Sequence, residues 1–260
     1  MEYYVLGSPD PEMGIIEAIL QQNELHYEYA TQSGKRCHPG NAYRADNQIA
    51  TETVVMVECA VPLIEGQSAV VIDHHRPGDP GFGLPPAEFW RASSLGQVYL
   101  RLQQAGLVPM EPPPKDLVLA AAADHCLGAA YRGECPGIDP DELMAWRAAS
   151  RAAFQGRSEE LVVQDVENTR AALRAAPWFG LAGLRDMRKD PPWPELPEAG
   201  AREGIGYVSG PLRAPDGKVK FTCSGSTAQV TAWMLWAEES GTLEHIYGDP
   251  ARGFAGGYES

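Results

Sequence analysis

The run Asp73-His74-His75 is the strongest sign of chemistry in this chain. The three residues follow an apolar, β-branched run at 70–72, so they are predicted to stand at the end of a strand. An acidic side chain and two imidazoles in this position rarely have a purely structural role. Mixed carboxylate and imidazole ligands suit Mn²⁺ or Zn²⁺ better than Ca²⁺, and a bound ion can activate water against a phosphate.

Further acidic residues follow the other predicted strands. Asp10 and Glu12 come after the first apolar run, Glu58 ends the third, and Asp124 lies beside His125 in a predicted helix. Loops at the carboxyl ends of strands in an open α/β sheet converge on one crevice. Carboxylates gathered there without Lys or Arg repel one another, and divalent cations are the usual remedy. The sequence therefore predicts a metal site with one or two ions.

Each of these acidic residues also has a purely structural interpretation. Asp10 followed by Pro11 is an ordinary helix start, an N-cap with proline at the first helical position. Glu58 could end a strand in solvent, and Asp124 with His125 could be a satisfied polar pair within an Ala-rich helix.

The spacing of apolar residues predicts an α/β fold, with a mostly parallel N-terminal sheet flanked by helices and a smaller C-terminal α/β domain. In the N-terminal part, the predicted strands are 3–6, 26–31, 53–57 and 69–72; the predicted helices follow residue 12 and span 87–104, 115–131, 140–155 and 158–176. In the C-terminal part, strands at 206–212 and 218–223 joined by a turn at 215–217 precede a helix at 227–239, a strand at 242–247 and a glycine-rich loop at 248–258.

A proline-rich stretch predicts the domain boundary. Residues 186–200 hold four prolines among mixed charges and have no helical or strand period. We therefore predict a metal-binding catalytic domain over 1–185, a linker over 186–200, and a small substrate-binding domain over 201–260.

Composition limits the classes of function. The 260 residues are 44% hydrophobic with a net charge of −14, which excludes wholesale disorder and disfavours binding to long duplex nucleic acid. No apolar run reaches the roughly 18 residues of a membrane span. The five cysteines include no CxxC pair and the chain opens without a signal-peptide pattern, so we expect a cytoplasmic protein with reduced thiols and no membrane partner.

The order of these residues resembles the DHH phosphoesterase superfamily, which includes RecJ-type exonucleases, nano-RNA and cyclic-dinucleotide phosphodiesterases, and family II inorganic pyrophosphatases. Residues 70–77 match the family's third motif nearly letter for letter. The weaker similarities are 8–12 to the first motif, 55–59 to the second, 119–124 to the fourth, 92–96 to a small-residue helix start, and 252–257 to the glycine-rich loop of the DHH-associated C-terminal domain, without that loop's histidine.

The resemblance implies roles for individual residues. It implies metal ligation by Asp10, Glu12, Glu58, His74 and Asp124, with Asp10 or Glu58 as bridging candidates. His75 would contact phosphate, and Asp73 would orient His74 through its ring N–H; these two are the candidate catalytic residues besides the ligands. The far end of the substrate would be held by Arg252 and the amides of Gly253, Gly256 and Gly257. The implied cofactor is a divalent metal, with Mn²⁺ favoured and Mg²⁺ or Zn²⁺ as alternatives.

Two departures from the family pattern affect this ligand set. The first motif usually has a histidine at the end of the first strand, where this chain has Leu6. His38 or His125 could supply the missing nitrogen. Glu12 and Glu58 replace aspartates, and each added methylene moves a carboxylate by roughly 1.5 Å. Either a single-metal enzyme or a rewired two-metal site would fit.

The sequence thus predicts a metal-dependent phosphoesterase that hydrolyses a phosphodiester or phosphoanhydride in a small nucleotide or short oligonucleotide, with a homodimer left open. The alternative is a catalytically degenerate relative that binds a nucleotide or metal, for which Leu6 is the best evidence. A phosphoryl-group enzyme unrelated to the family is a third possibility. It would gain support if the acidic residues and His74 lay far apart.

Overall fold

The computed structural model describes residues 2–213 and 217–260 and has the predicted α/β architecture. The chain forms two units, Met1–His125 with Cys135–Ile138, and Cys126–Glu134 with Asp139–Ser260. Within the described residues, no helix combines the length and hydropathy that a membrane crossing requires. Of the turn predicted at 215–217, residues 215 and 216 lie outside the described residues.

A parallel four-stranded sheet organises the first unit. Its strands are β1 (Glu2–Leu6), β2 (Tyr27–Tyr29), β5 (Thr53–Val57) and β6 (Ser68–Ile72), in the order β2-β1-β5-β6, while β3 (Thr31–Gln32) and β4 (Lys35–Arg36) form a separate antiparallel pair. Leu6 pairs with Val57, and Val57 pairs with Ile72. The residues that follow these strands therefore leave the sheet along one edge, as the sequence predicted.

Four helices belong wholly or partly to this unit: α1 (Pro11–Gln22), α2 (Phe89–Ala92), α3 (Ser94–Gln104) and α4 (Lys115–Tyr131). The helix predicted over 87–104 is divided because Ser93 has an extended backbone and its side chain accepts from Gly96 N at 3.0 Å, which caps α3. Helix α4 is kinked at Cys126, whose φ of −151° is not helical.

The second unit has a five-stranded sheet and its own core. Its helices are α5 (Pro140–Gln155), α6 (Glu159–Ala175), α7 (Leu196–Glu203) and α8 (Thr227–Ser240). Its strands are β7 (Arg185–Asp186), β8 (Tyr207–Arg213), β9 (Val219–Ser224), β10 (Leu243–Asp249) and β11 (Phe254–Glu259), in the order β10-β11-β9-β8-β7. The fully buried Trp233 of α8 lies in the core that this sheet covers.

The units do not have the bounds that the sequence predicted for the two domains. Helices α5 and α6 belong to the second unit, where Arg170 and Arg174 of α6 bind Glu203 of α7. The segment predicted as a linker contains β7 residue Asp186 and the start of α7 at Leu196. The pairing of Asp186 with Val208 of β8 and ion pairs such as Arg188–Asp186 hold this segment. Such contacts do not require apolar residues at regular spacing, so the sequence does not reveal them.

The prediction of a glycine-rich loop at 248–258 is wrong at both ends, because 248–249 end strand β10 and 254–258 belong to strand β11. Gly256 pairs with Thr222 of β9 and with Tyr247 of β10. A Cβ at Gly256 would lie 2.6 Å from the Tyr247 hydroxyl. Glycine at this position therefore leaves room for the aromatic side chain to cross β11. Glycine content alone does not show whether a segment is such a strand or a loop.

Two helical glycines give a matched test of how α3 is seated. In the first turn of α3, a Cβ at Gly96 would lie 1.6 Å from the carbonyl oxygen of Trp90, whereas a Cβ at Gly14 in α1 meets nothing within 4 Å. We expect Gly96→Ala to lower the free energy of unfolding by about 3 kcal/mol through overpacking. Gly14→Ala should raise it by about 0.5 to 1 kcal/mol through helix propensity. Urea unfolding of the two variants checks both signs; equal effects would contradict the close approach.

Candidate metal centre

Four of the five predicted metal ligands lie together in the first unit. One potential ligand atom from each of Glu12, Glu58, His74 and Asp124 is within 4.8 Å of all the others. A second group of Glu58, His74 and His75 overlaps with the first. The prediction of an unrelated enzyme, which depended on these residues lying far apart, loses its support.

The backbone at Glu58 is arranged for this convergence. Glu58 directly follows β5 and has a φ of 52°, a left-handed conformation that costs a non-glycine residue about 1 kcal/mol or more. Its N–H donates to Ile72 O at 3.0 Å, which extends the β5–β6 pairing by one bond. A Cβ at Gly7 would lie 2.4 Å from the Glu58 carbonyl oxygen, so glycine at this position lets the two chains approach. The side chain of Glu58 is buried, which contradicts the structural alternative that Glu58 ends a strand in solvent.

The N-terminus of α3 binds two of the carboxylates. Leu95 N donates to Glu12 Oε1 at 3.0 Å, and Ser94 Oγ donates to Glu58 Oε1 at 2.8 Å. The positive end of the helix dipole adds to these bonds. The small-residue helix start is visible in the sequence, but its contacts with Glu12 and Glu58 depend on tertiary packing.

His125 sets the tautomer of His74. Nε2 of His125 lies 3.2 Å from Leu84 O, and since a carbonyl can only accept, this nitrogen carries the proton. When the buried His125 ring is neutral, its Nδ1 accepts from Nδ1–H of His74, and the two nitrogens lie 2.9 Å apart. In a neutral His74 the lone pair is therefore on Nε2, 3.0 Å from Asp124 Oδ2 and 3.5 Å from Glu58 Oε1. That is the atom that a cation would take.

The Asp73 side chain contacts the ring of His75, whereas the resemblance implied that it orients the ring of His74. Oδ1 of Asp73 accepts from the backbone N–H of His74 at 2.7 Å and from Nδ1–H of His75 at 2.9 Å, while Oδ2 accepts from Tyr43 Oη at 2.8 Å. Burial alone would raise the pKa of Asp73, but the hydrogen bonds and charge of His75 and the bond from Tyr43 lower it. An ionised Asp73 thus holds His75, whose side chain is 36% exposed.

Asp10 has its structural role beside the cluster. Its Oδ1 accepts from Met13 N at 2.7 Å and caps α1, as the N-cap alternative predicted. Burial, followed by the charges of Glu58 and Asp124, raises the pKa of Asp10. Asp10 is therefore close enough for the charges of the cluster to affect its pKa, but it does not belong to the group of mutually close ligand atoms.

Neither candidate supplies a nitrogen in place of Leu6. Leu6 itself is fully buried at the end of β1. His38 accepts a hydrogen bond from Gly40 N at 3.1 Å within its own loop. His125 lies at the centre, but its two ring nitrogens face His74 and Leu84. Among the described residues, the potential ligand groups contain neither His38 nor His125.

The charge balance of the site fits a divalent cation. Glu12 is 3% exposed, and within the described part of the chain its Oε2 has no hydrogen-bond partner. Burial raises the pKa of Glu12, and the charges of Asp124, Glu58 and Asp10 raise it further. A cation would remove both penalties at once. Three carboxylates and one imidazole are donors that Mn²⁺, Mg²⁺ and Zn²⁺ accept.

The residues predicted to hold the far end of the substrate belong to the second unit. Gly253 has a φ of +80°, and its N–H donates to Asp249 O at 3.0 Å, so the amide is used within a turn. Gly256 and Gly257 lie inside β11, where backbone N–H groups point along the sheet. The guanidinium of Arg252 lies over the ring of Phe254, 5.2 Å from its centroid. The Gly253 amide is thus used within its turn, and substrate binding by this glycine cluster stays a prediction.

Comparison with known proteins gives little further evidence. No protein-family model matches the chain, and no curated protein matches its sequence. Among solved structures, the chain is similar to the pGpG-specific phosphodiesterase PggH from Vibrio cholerae, with 12% sequence identity and a TM-score of 0.48, over 100% of this chain and 93% of that one. At this level of similarity, function has to be argued from the side chains.

The raised pKa of Glu12 predicts a pH-dependent stability of the metal-free protein. Because folding raises this pKa above the ordinary 4.5, the folded state binds more protons than the unfolded state at higher pH. The free energy of unfolding should therefore fall as the pH rises above about 4.5. Glu12→Gln should flatten this fall, and the exposed control Glu52→Gln should not. Urea unfolding in chelator from pH 5 to 8 tests this, and identical slopes for wild type and Glu12→Gln would contradict it.

The contact between His125 and His74 predicts an effect on metal affinity. His125→Leu removes the acceptor for His74 Nδ1–H, and loss of such an outer contact lowers metal affinity by about 10- to 100-fold. His125→Asn keeps an acceptor oxygen near the position of Nδ1 and should lose less. Calorimetric titration of chelator-treated protein with Mn²⁺ and Zn²⁺ measures both variants. Equal affinities for wild type and His125→Leu would show that His125 does not position His74.

Proposed function

We propose that this protein is a metal-dependent phosphoesterase of the DHH type. The observation that carries the proposal is the convergence of Glu12, Glu58, Asp124 and His74 within 4.8 Å, next to a partly exposed His75. The residues come from four separate segments, and they are the residues that the motif resemblance selects. When bound, a divalent cation would supply Lewis-acid chemistry, by drawing charge from a phosphoryl group and making a nucleophile of water.

The side chains of the chain divide the remaining work. Glu12, Glu58, His74 and Asp124 would hold the ion, with Asp10 beside them. The N-terminus of α3 keeps two of these carboxylates in place through Ser94 and Leu95, as described above. Such preorganised ligands need not rearrange during the reaction.

His75 would contact the phosphoryl oxygens. Its Nδ1 bonds to Asp73 at 2.9 Å, so Nε2 is the ring atom through which it can meet a substrate. The negative Asp73 stabilises positive charge on this ring, and that charge would neutralise the charge growing on the phosphoryl oxygens in the transition state. His75 thus has the surroundings of a phosphate contact, whereas buried His74 has those of a ligand.

The proposed substrate is a phosphodiester or phosphoanhydride in a small nucleotide or short oligonucleotide. The net charge of −14 repels a long polyphosphate chain. A small substrate presents few charges and can enter a centre whose cation compensates for them. Mn²⁺ is the favoured ion, with Mg²⁺ and Zn²⁺ as alternatives.

A catalytically degenerate nucleotide- or metal-binding module is the second candidate, and Leu6 favours it. The end of β1 offers a fully buried aliphatic side chain where the related motif has an imidazole. Such a site could still bind an ion through its carboxylates and lack turnover.

Hydrolysis assays with defined metals separate the two candidates. Chelator-treated protein should be inactive on a bis-aryl phosphodiester and on a panel of dinucleotides, and Mn²⁺, Mg²⁺ or Zn²⁺ should restore activity. His74→Ala should lose more than about 100-fold in kcat/KM because it removes a ligand, whereas His38→Ala, a histidine outside the cluster, should not. Full activity in the chelator would refute the mechanism. Bound metal by elemental analysis without turnover on any substrate would favour the binding module.

A further inference from the structure

Tyr43 contacts two residues of the Asp73-His74-His75-Arg76 segment, although it lies outside every sequence motif. It belongs to a 3-10 turn over Ala42–Arg44. Its hydroxyl donates to Asp73 Oδ2 at 2.8 Å. Its ring lies under the guanidinium of Arg76, with Cζ 3.2 Å from the ring centroid. One side chain thus joins the carboxylate that holds His75 to the cation that follows His75 in the chain.

The hydroxyl contact completes the coordination of Asp73. Oδ1 of this carboxylate accepts from the backbone N–H groups of His74 and His75 and from the His75 ring. Tyr43 donates to the other oxygen, so the plane of the carboxylate is fixed from both sides. Because the His75 ring hangs on this carboxylate, the hydroxyl also limits how the ring can turn.

The ring contact holds a cation that no acidic side chain neutralises. Arg76 is exposed, and across residues 2–213 and 217–260 its guanidinium forms no ion pair with a carboxylate. Its backbone is fixed instead: Asp79 N donates to Arg76 O at 3.0 Å, and Arg76 N donates to Asp79 Oδ2 at 2.6 Å. The chain has a net charge of −14, yet this guanidinium lies on an aromatic face without a carboxylate partner among the described residues. It is therefore available to bind an external anion.

We propose that Tyr43 is a positioning residue that holds His75 and Arg76 as a pair for the phosphoryl oxygens of a phosphate-ester substrate. This inference rests on the proposed phosphoesterase function. Arg76 offers the planar fork of donors that matches phosphate oxygens, and stacking on Tyr43 reduces the freedom lost on binding. Arg76 therefore acts in substrate binding, and the Tyr43 hydroxyl acts through Asp73 on His75 in the reacting step.

Three substitutions separate the two contacts of Tyr43. Arg76→Met removes the cation and should raise KM by about 10- to 100-fold with kcat changed by less than about 3-fold, as expected for loss of a charged hydrogen bond. Tyr43→Phe keeps the ring under Arg76 and removes the hydroxyl, so it should lower kcat by about 10-fold and leave KM within about 2-fold. Tyr43→Leu removes both contacts and should change both constants. Bis-aryl phosphodiester hydrolysis with Mn²⁺ measures all three.

The first unit contains a matched control pair. The guanidinium of Arg36 lies over the ring of Tyr29, 3.7 Å from its centroid. Arg36→Met removes a stacked arginine of the same kind and should leave KM and kcat unchanged. Thermal unfolding and bound metal by elemental analysis, measured on every variant, identify any loss that comes from misfolding or an empty centre.

Phosphate binding gives a readout that does not depend on turnover. Calorimetric titration of the Mn²⁺-loaded protein with inorganic phosphate should show about 10-fold or more weaker binding for Arg76→Met than for wild type, and unchanged binding for Arg36→Met and Tyr43→Phe. An active wild type whose KM and phosphate affinity are unaffected by Arg76→Met would overturn the inference and leave the proposed function standing. An inactive wild type with the same loss of phosphate affinity would overturn the proposed function and keep the binding pair. Identical kinetics for Tyr43→Phe and Tyr43→Leu would overturn the role of the ring.

Discussion

Repulsion among carboxylates that are buried or partly buried together is the constraint on which the site in the first unit depends. Glu12, Glu58 and Asp124 share one centre, and Asp10 lies near enough to add its charge. Two helix N-termini offset part of the repulsion: Met13 N of α1 binds Asp10, and Leu95 N of α3 binds Glu12. Burial and like charges still raise the pKa of Asp10 and of Glu12. A divalent cation bound among these carboxylates would offset the remaining repulsion.

The two consecutive histidines are held in opposite ways, and this difference matches the proposed division of the site into a ligand side and a substrate side. Their rings meet edge to face at 4.4 Å. His74 is fully buried, and its Nδ1 faces Nδ1 of His125, which is an uncharged acceptor when the His125 ring is neutral. His75 is partly exposed and donates Nδ1–H to the ionised Asp73. A negative partner stabilises a charged ring, whereas a neutral partner leaves Nε2 of His74 suited to a metal.

The convergence of the motif residues could be predicted because the carboxyl ends of parallel strands lie at the same edge of a sheet. The runs 53–57 and 68–72 are apolar and β-branched, and parallel pairing brings Glu58 and Asp73 to one edge once Val57 and Ile72 are register partners. The partner of a side chain is different, because it depends on tertiary placement. Asp73 lies one residue from His74 and two from His75; the family resemblance implied a contact with the His74 ring, and the structure shows one with the His75 ring.

The contacts of Tyr43, Ser94 and His125 had no signal in the sequence for the same reason. These residues belong to a short turn, a helix start and the middle of α4. The periodicity of apolar residues does not predict which side chains such residues contact. Glycine content misled in the second unit, where β11 needs small residues beneath Tyr247. Local patterns thus predicted which elements form, while packing determined which polar groups touch.

Leu6 occupies the position at which the family that the chain resembles has a histidine, and the structure shows the surroundings of this position. Leu6 closes the end of β1 with an apolar side chain, and the nitrogens of His125 face His74 and Leu84. The two groups of potential ligands share Glu58 and His74, so they describe one centre and not two independent ones. One cation, or two cations that share Glu58 and His74 as neighbours, would fit this donor set. A one-ion site has less positive charge with which to meet a phosphate, and His75 and the stacked guanidinium of Arg76 are the groups that can supply the rest.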